Sequence, residues 1–198
     1  VSSKTGEVLP ELRATLAGLA RAVPPKAADR LPRLPIDRVF TVKGFGTVVT
    51  GTVLSGAIGT DEAVSLLPSL PGPFRVRGLQ AHGQPVSRIA AGSRAAVNLA
   101  GVEACAVLRG RVLTRHGEVP STRMLDVELS LLAAASLPLG RRTKLLLHLG
   151  TAQVPATVAL LDQGELRPGE NALAQLRLGE PVAALPNQRF ILRGSRPL

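Results

Sequence analysis

From Ile36 onward, short β-branched and aliphatic runs follow one another closely, each bounded by Gly, Pro, Asn or Asp, with no helical period between them. A chain of this kind has no helices with which to cover a parallel sheet. Its strands must therefore pair antiparallel and close or pack on one another. Candidate strands fall at 36–43, 47–54, 63–67, 74–82, 94–100 and 107–114, with turn chemistry at SGAIGTD, PSLPGP and AAGS. A second series covers about 123–132, 143–149, 153–161, 172–178 and 188–193, separated by LPLGRR, LGTA, DQGELRPGEN and GEPVAALPN. The fold expected is mainly β: two consecutive small antiparallel β-barrels, 36–116 and 117–198, preceded by one α-helix. No internal repeat is visible.

Before the strands, LPELRATLAGLARA (9–22) places Leu9, Leu12, Leu16 and Leu19 on one helical face, with Pro10 in the first turn. The prolines of VPPKAADRLPRLP block any continuation. Residues 1–23 thus form a helical start and 24–35 a linker.

The stretch VFTVKGFGTVVTG (39–51) has the glycines, lysine and threonines of a phosphate loop but not their order. Gly46 and Gly51 have P-loop spacing, yet Thr52 and Val53 stand where lysine and a hydroxyl are needed. The β-branched residues that follow favour a strand, so Gly44-Phe45-Gly46 is the turn of a hairpin.

The formal net charge of +10 favours a polyanionic partner. Residues 35–116 carry nine basic and four acidic groups, and residues 117–198 nine and seven, so the middle segment is the more anion-facing. With no Trp or Tyr and four Phe, the chain cannot stack successive bases. Nucleic-acid contact would run through phosphates and shape. A single cysteine, Cys105, excludes an internal disulfide framework and reads as a small buried residue. No apolar run approaches a membrane span and no signal-like segment opens the sequence, so a cytoplasmic protein with no membrane partner is expected. His116 and His148 have no metal-ligand spacing with Cys105 or any acidic cluster, and no metal site is expected. No nucleophile–base arrangement or carboxylate pair appears, so no catalytic residue is assigned.

Three stretches resemble one family. RLPIDRVFTVKGFGTVVTGTVLSG (33–56) is similar to the start of the second domain of translational GTPases, and its IDR and VKGFGTVVTG resemble the selenocysteine-specific elongation factors (the SelB type). FRVRGLQAHGQPVSRIAAGSRAAVNLAGV (74–102) and LLHLGTAQVPATVALLDQGELRPGENALAQLRLGEPVAALPNQRFILRGSRP (146–197) continue the resemblance. VSSKTGEVLPEL resembles the last guanine-side motif of a GTPase domain, which implies that Ser2, Ser3 and Lys4 are the tail of a GTP site. No P-loop, D-x-x-G or N-K-x-D motif occurs in the 198 residues, so this chain is expected neither to bind nor to hydrolyse GTP. GTP and Mg would belong to a full-length parent GTPase. The resemblance further implies that the last barrel lacks its closing strand and that winged-helix modules reading an mRNA hairpin lie beyond Leu198.

The resemblance implies a non-catalytic part of a GTP-dependent factor that delivers selenocysteinyl-tRNA to the ribosome, a monomer. It points to Asp37, Arg38 and Arg94 as the aminoacyl pocket. Strand alternation puts Arg38 on the face of Ile36, Phe40 and Val42, an odd place for a charge without a partner. His82, a pocket or loop residue, joins Arg142 and the face-sharing Arg75 and Arg77 as the candidate tRNA contacts, and Arg141, Arg142 and Lys144 occupy a turn of the second barrel, either a solvated charge run or a contact to the T-arm. His148 is an outward strand residue. The alternatives are the barrel pair of a Tu-type or sulfate-activation GTPase, and a stand-alone basic β-barrel that binds RNA or protein.

Overall fold

In a computed structural model that describes residues 1–24 and 26–194, one helix precedes two β units. Residue 25, within the expected linker, and residues 195–198, at the end of the expected second barrel, lie outside the described residues. Helix α1 (Leu9–Ala22) has proline in its first turn and ends where Val23 turns extended. Its leucine stripe forms as expected but covers nothing: no helix residue is buried, and Leu12, Leu16 and Leu19 are all exposed.

The first unit runs through β1 (Arg33–Val42), β2 (Gly46–Thr52), β3 (Ala57–Gly59), β4 (Ala63–Leu67), β5 (Leu70–Ala81), β6 (Gln84–Val86), β7 (Arg88–Ala90), β8 (Arg94–Ala100) and β9 (Val112–Arg115). Its sheet order is β4-β9-β1-β2-β8-β5-β6, and a ladder between β4 and β5 closes the first six of these into an antiparallel barrel. Glycine makes the first hairpin possible: Gly44 and Gly46 have φ of 82° and 85°, which side chains rarely tolerate. The loop turns a corner, as its spacing predicts. Inward residues of alternate positions fill the barrel, with Leu34, Ile36, Val49, Val97, Leu99 and Leu113 almost fully buried. Each contributes about 1.5–3 kcal/mol of burial.

The second unit comprises β10 (Ser121–Ser130), β11 (Leu139–Gly140), β12 (Arg142–Leu149), β13 (Ala152–Leu160), β14 (Glu165–Leu166), β15 (Asn171–Ala183) and β16 (Ile191–Gly194). Five of these form a sheet in the order β10-β15-β13-β12-β16, and β11 pairs with β14. Among the described residues no ladder joins β10 to β16. Leu147, Val158, Leu166, Ala174 and Leu176 form its separate core.

The two units meet through Leu67, Val112 and Ala183, with Val119 packed against them. The β12–β13 turn docks on β1: Thr151 Oγ1 donates to the Ile36 carbonyl at 2.7 Å. Gly150, at φ 60°, sits where an added Cβ would lie 3.2 Å from Pro35.

Several expectations change here. Cys105 is exposed, because residues 104–106 form a surface 3₁₀ turn and not a strand; β9 begins only at Val112. Arg142 and Lys144 lie on β12, and only Arg141 is in the turn before it. His148 does face away from the Leu147–Leu149 core side, but it is half-buried, with Nε2 shielded and without a hydrogen-bond partner among the described residues.

Candidate functional site

The outer surface of β1, β2 and β8 carries a charged cluster that originates in one irregularity of β1. Ile36 pairs with Gly51 and Arg38 with Thr50, so Asp37 is an extra residue on β1. A bulge of this kind sets two side chains against one on the partner strand. It also resets the alternation. Arg38 is therefore exposed on the outer surface while Ile36 is fully buried, and the expectation that they share a face is overturned.

Asp37, Thr50 and Arg94 form a closed set. Arg94 Nη1 donates to Asp37 Oδ2 at 2.5 Å and Nη2 to Asp37 Oδ1 at 2.9 Å, a two-pronged pair. Thr50 Oγ1 donates to Asp37 Oδ1 at 2.8 Å and accepts from Arg94 Nη2 at 3.3 Å. The Arg94 hydrogen bonds hold the Asp37 carboxyl below the usual carboxylate range, against the opposing effect of its partial burial. Asp37 in turn raises the Arg94 guanidinium above its ordinary value. The Asp37 side chain is 27% exposed and that of Arg94 53%, so the pair lies at the surface and not in the core.

Arg38 stands beside this set, directly across from Thr50. It makes no ion pair within the described residues, so the three charges of Asp37, Arg38 and Arg94 leave one cation uncompensated. Register extends the surface away from the charges. One row runs Arg38–Thr50–Ala96–Gln80, the next Phe40–Val48–Asn98–Gly78. In the second row Phe40 is exposed, Gly78 has open space above it, and Asn98 Oδ1 is shielded without a partner among the described residues. The site is thus a cation flanked by an apolar, partly polar shelf. The exposed guanidinium suits an anionic group.

The structure brings Asp37, Arg38 and Arg94 together and leaves the other expected residues apart. Arg75 and Arg77 are exposed on β5, but Arg75 is engaged by Asp61 at 2.6 Å and pairs with Ala100, at the opposite end of β8 from Arg94. His82 is at the tip of the β5–β6 turn with φ 51°, and it makes no hydrogen bond to the cluster. Ser2, Ser3 and Lys4 lie in the turn before α1, where the Ser2 carbonyl accepts from Gly6 N–H. Arg142 belongs to the second unit. There, register aligns Lys144–Thr157–Arg177 and Arg142–Ala159–Gln175 across the outer face, cations flanking the small residues of β13. Among the described residues no group of three His, Cys, Asp or Glu gathers as a metal site would require. No helix there is long and apolar enough to cross a membrane.

Thr50 and Asn98 escape sequence reasoning. Each is an outward polar residue in a strand of aliphatic neighbours, and that alternation is the signal that marks them.

The described fold and cluster can be set beside known proteins. Residues 126–196 match the family described as the selenocysteine-specific elongation factor, beta-barrel domain. The selenocysteine-specific elongation factor of Desulfomicrobium baculatum is 40% identical over 198 residues, which is all of this chain and 31% of that protein. Elongation factor Tu 2 of Streptomyces avermitilis is 30% identical over 175 residues, 86% of this chain and 45% of its own length. The crystal structure of a bacterial selenocysteine-specific elongation factor, EF-Sec, superposes with a TM-score of 0.83 at 24% identity, covering 98% of this chain and 31% of that one; at this identity the likeness shows the fold alone. The chain therefore spans about a third of the length of the first of these relatives.

Proposed function

This chain belongs to the selenocysteine-specific elongation factors, and from that premise we propose that it is the part that holds selenocysteinyl-tRNA for delivery to the ribosome. The Asp37–Arg38–Arg94 cluster receives the charged amino acid, and the shelf beyond it receives the acceptor end. The outer face of the second unit, with Arg142, Lys144 and Arg177, supports the tRNA arm through phosphates. GTP and Mg act in a separate GTPase domain, of which Ser2, Ser3 and Lys4 are the tail. Any mRNA hairpin is read by other modules. The chain itself is non-catalytic, works as a monomer and resides in the cytoplasm.

The observation that carries this reading is the single uncompensated cation at the cluster. A selenol is more acidic than a thiol, so selenocysteine is an anion at neutral pH, serine is neutral, and cysteine, titrating near pH ~8.5, is mostly protonated. A fixed guanidinium stays charged whatever its surroundings and gains from an anion what a hydroxyl cannot supply. Selection by charge therefore needs only a permanent cation where the side chain arrives.

The test is to measure binding of selenocysteinyl-tRNA and seryl-tRNA to the chain and to its Arg38→Ala/Arg94→Ala double variant. The expected result is a preference for the selenocysteinyl form that the double variant loses. A preference that survives the loss of both arginines would sink the assignment. Binding indifferent to the amino acid, with only the salt slope of phosphate contacts, would leave a general RNA-binding module.

A further inference from the structure

Two outward rows of the first barrel lie at the joint with the second unit, and they differ in chemistry. Leu67 pairs with Val112 and Val112 with Pro35, an apolar row on which Ala183 and Val119 pack and against which Gly150 comes to rest. Two positions along, the register runs Ser65–Thr114–Arg33–Ser55, a polar row on the same face. The neighbours Leu66, Leu113 and Leu34 fill the barrel core, so the polar side chains point outward. Thr114 is nonetheless only 1% exposed, with Val119, Ala183 and Leu185 around it.

The ends of the polar row are satisfied within the protein. Ser65 Oγ donates to the Pro71 carbonyl, and Ser55 Oγ donates to the Leu31 carbonyl at 2.8 Å. Its centre is different. Thr114 Oγ1 and Arg33 Nε are both shielded and have no hydrogen-bond partner among the described residues. They belong to directly paired residues and line one cavity of about 10 Å³, walled by Val112, Val119, Ala183 and Leu185. Arg33 has no ion pair among the described residues, and burial lowers its guanidinium from the ordinary value.

We propose that this cavity is a binding site for one ordered water molecule, which bridges Arg33 Nε to Thr114 Oγ1 and fastens the joint. Volume and chemistry select the occupant. The space is that of a single water, too small for a phosphate, a carboxylate or any organic group. The water accepts from Arg33 Nε–H and shares a second hydrogen bond with the Thr114 hydroxyl, and two such partners are the fewest that hold a buried water. Leaving both groups dry would cost the desolvation of a hydroxyl and of a guanidinium N–H with nothing returned. A bridging water is nearly as good as a direct hydrogen bond and costs little to order. The second unit therefore rests on an apolar contact along one row and on a water-mediated one along the next.

The experiment has two parts. A crystal structure of the unaltered chain should show one water within about 3.2 Å of both Arg33 Nε and Thr114 Oγ1. No water there, a water bonded to only one of the two, or either group donating to a protein carbonyl overturns the proposal. The second part is thermal unfolding of Thr114→Val, a change of nearly equal volume that removes the hydroxyl alone. Hydrated and dry cavities predict opposite signs. If a water holds the hydroxyl, the variant strands that water and Arg33 Nε, and the midpoint should fall by about 2–4 °C. If the cavity is dry, an unsatisfied buried hydroxyl gives way to a methyl, and the midpoint should stay or rise.

A fall supports the water, and an unchanged or raised midpoint overturns it. Arg33→Met completes the cycle. Added to Thr114→Val, it should lower the midpoint less than it does in the unaltered chain, because the shared water is already lost. Equal losses in the two backgrounds would show that the groups do not act through one water.

Discussion

The two β units use similar strands to opposite ends. Three strand pairings of the first unit carry a register shift, at Ile36/Arg38, Val64/Leu66 and Val76/Gly78, and its sheet closes. The second carries one, at Thr122/Met124 near its end, and its sheet stays open among the described residues. Bulges bend strands and raise local twist, which closure requires, but each also re-aims side chains. In the first unit one of them gathers Asp37 and Arg38 at a point. The unbroken rows of the second spread Lys144, Arg177 and Arg142 along a face. A curved barrel thus gathers charge at a point, and the second sheet, open among the described residues, spreads it along a face.

The largest expected effect tests closure itself. Leu113, fully buried on β9 between β4 and β1, should cost about 2–5 kcal/mol when changed to Ala, read as a fall in the denaturation midpoint. If closure makes the first unit one cooperative body, the loss should appear at every probe placed in it. Unfolding that begins locally at β9 would break the comparison.

Next in size is the joint. Gly150→Val places a β-branched side chain at φ 60° and against Pro35, and should cost about 1–3 kcal/mol. Calorimetry is expected to give one transition for the unaltered chain and two for the variant. A single unshifted transition would show that the turn does not couple the units.

Asp37→Asn should have a smaller effect, about 1 kcal/mol or less, because Arg94 is half exposed. Its pH dependence sharpens the reading. The folded Asp37 carboxyl titrates below its ordinary value, so its contribution is present above about pH 4 and is lost as pH falls through the depressed value. The midpoint difference between the two chains should therefore be constant at pH 6 to 7 and close in more acid solution. A gap that widens on acidification would reverse the sign and refute the pair.

The smallest effect belongs to the open face. Arg142→Ala and Arg177→Ala should each reduce the slope of log affinity for tRNA against log salt by about one, with little effect on which amino acid is preferred. Loss of amino-acid preference instead would place the site in the wrong unit.

Much of the fold is legible in the residues. The strands 63–67 and 94–100 have the bounds that β-branched alternation predicts, and the Gly44-Phe45-Gly46 turn is where its glycines put it. The strands Ala57–Gly59, Gln84–Val86 and Arg88–Ala90 are not, because three residues are too few to show a period and they lie in sequence dense with turn formers. Asp37, Arg38 and Arg94 were marked by resemblance, but alternation placed Arg38 on the wrong face. A bulge leaves no trace in the period: it is decided by the partner strand, where Thr50 and Gly51 accept three residues of β1. Cys105 shows the same limit in reverse, a small apolar neighbourhood that proved to be a surface turn.

Asp37 and Arg94 are 57 positions apart in the chain, and no shorter piece of it can join them. As residues leave a ribosome in order, β1 and β2 can pair early, yet at that stage they show only a carboxylate and a lone arginine. Competence arrives in one step, when β8 takes its place beside β2. Such non-local pairing is slow and comes late. On the proposed reading, a copy in which β8 has not yet docked lacks the cluster that would receive the amino acid.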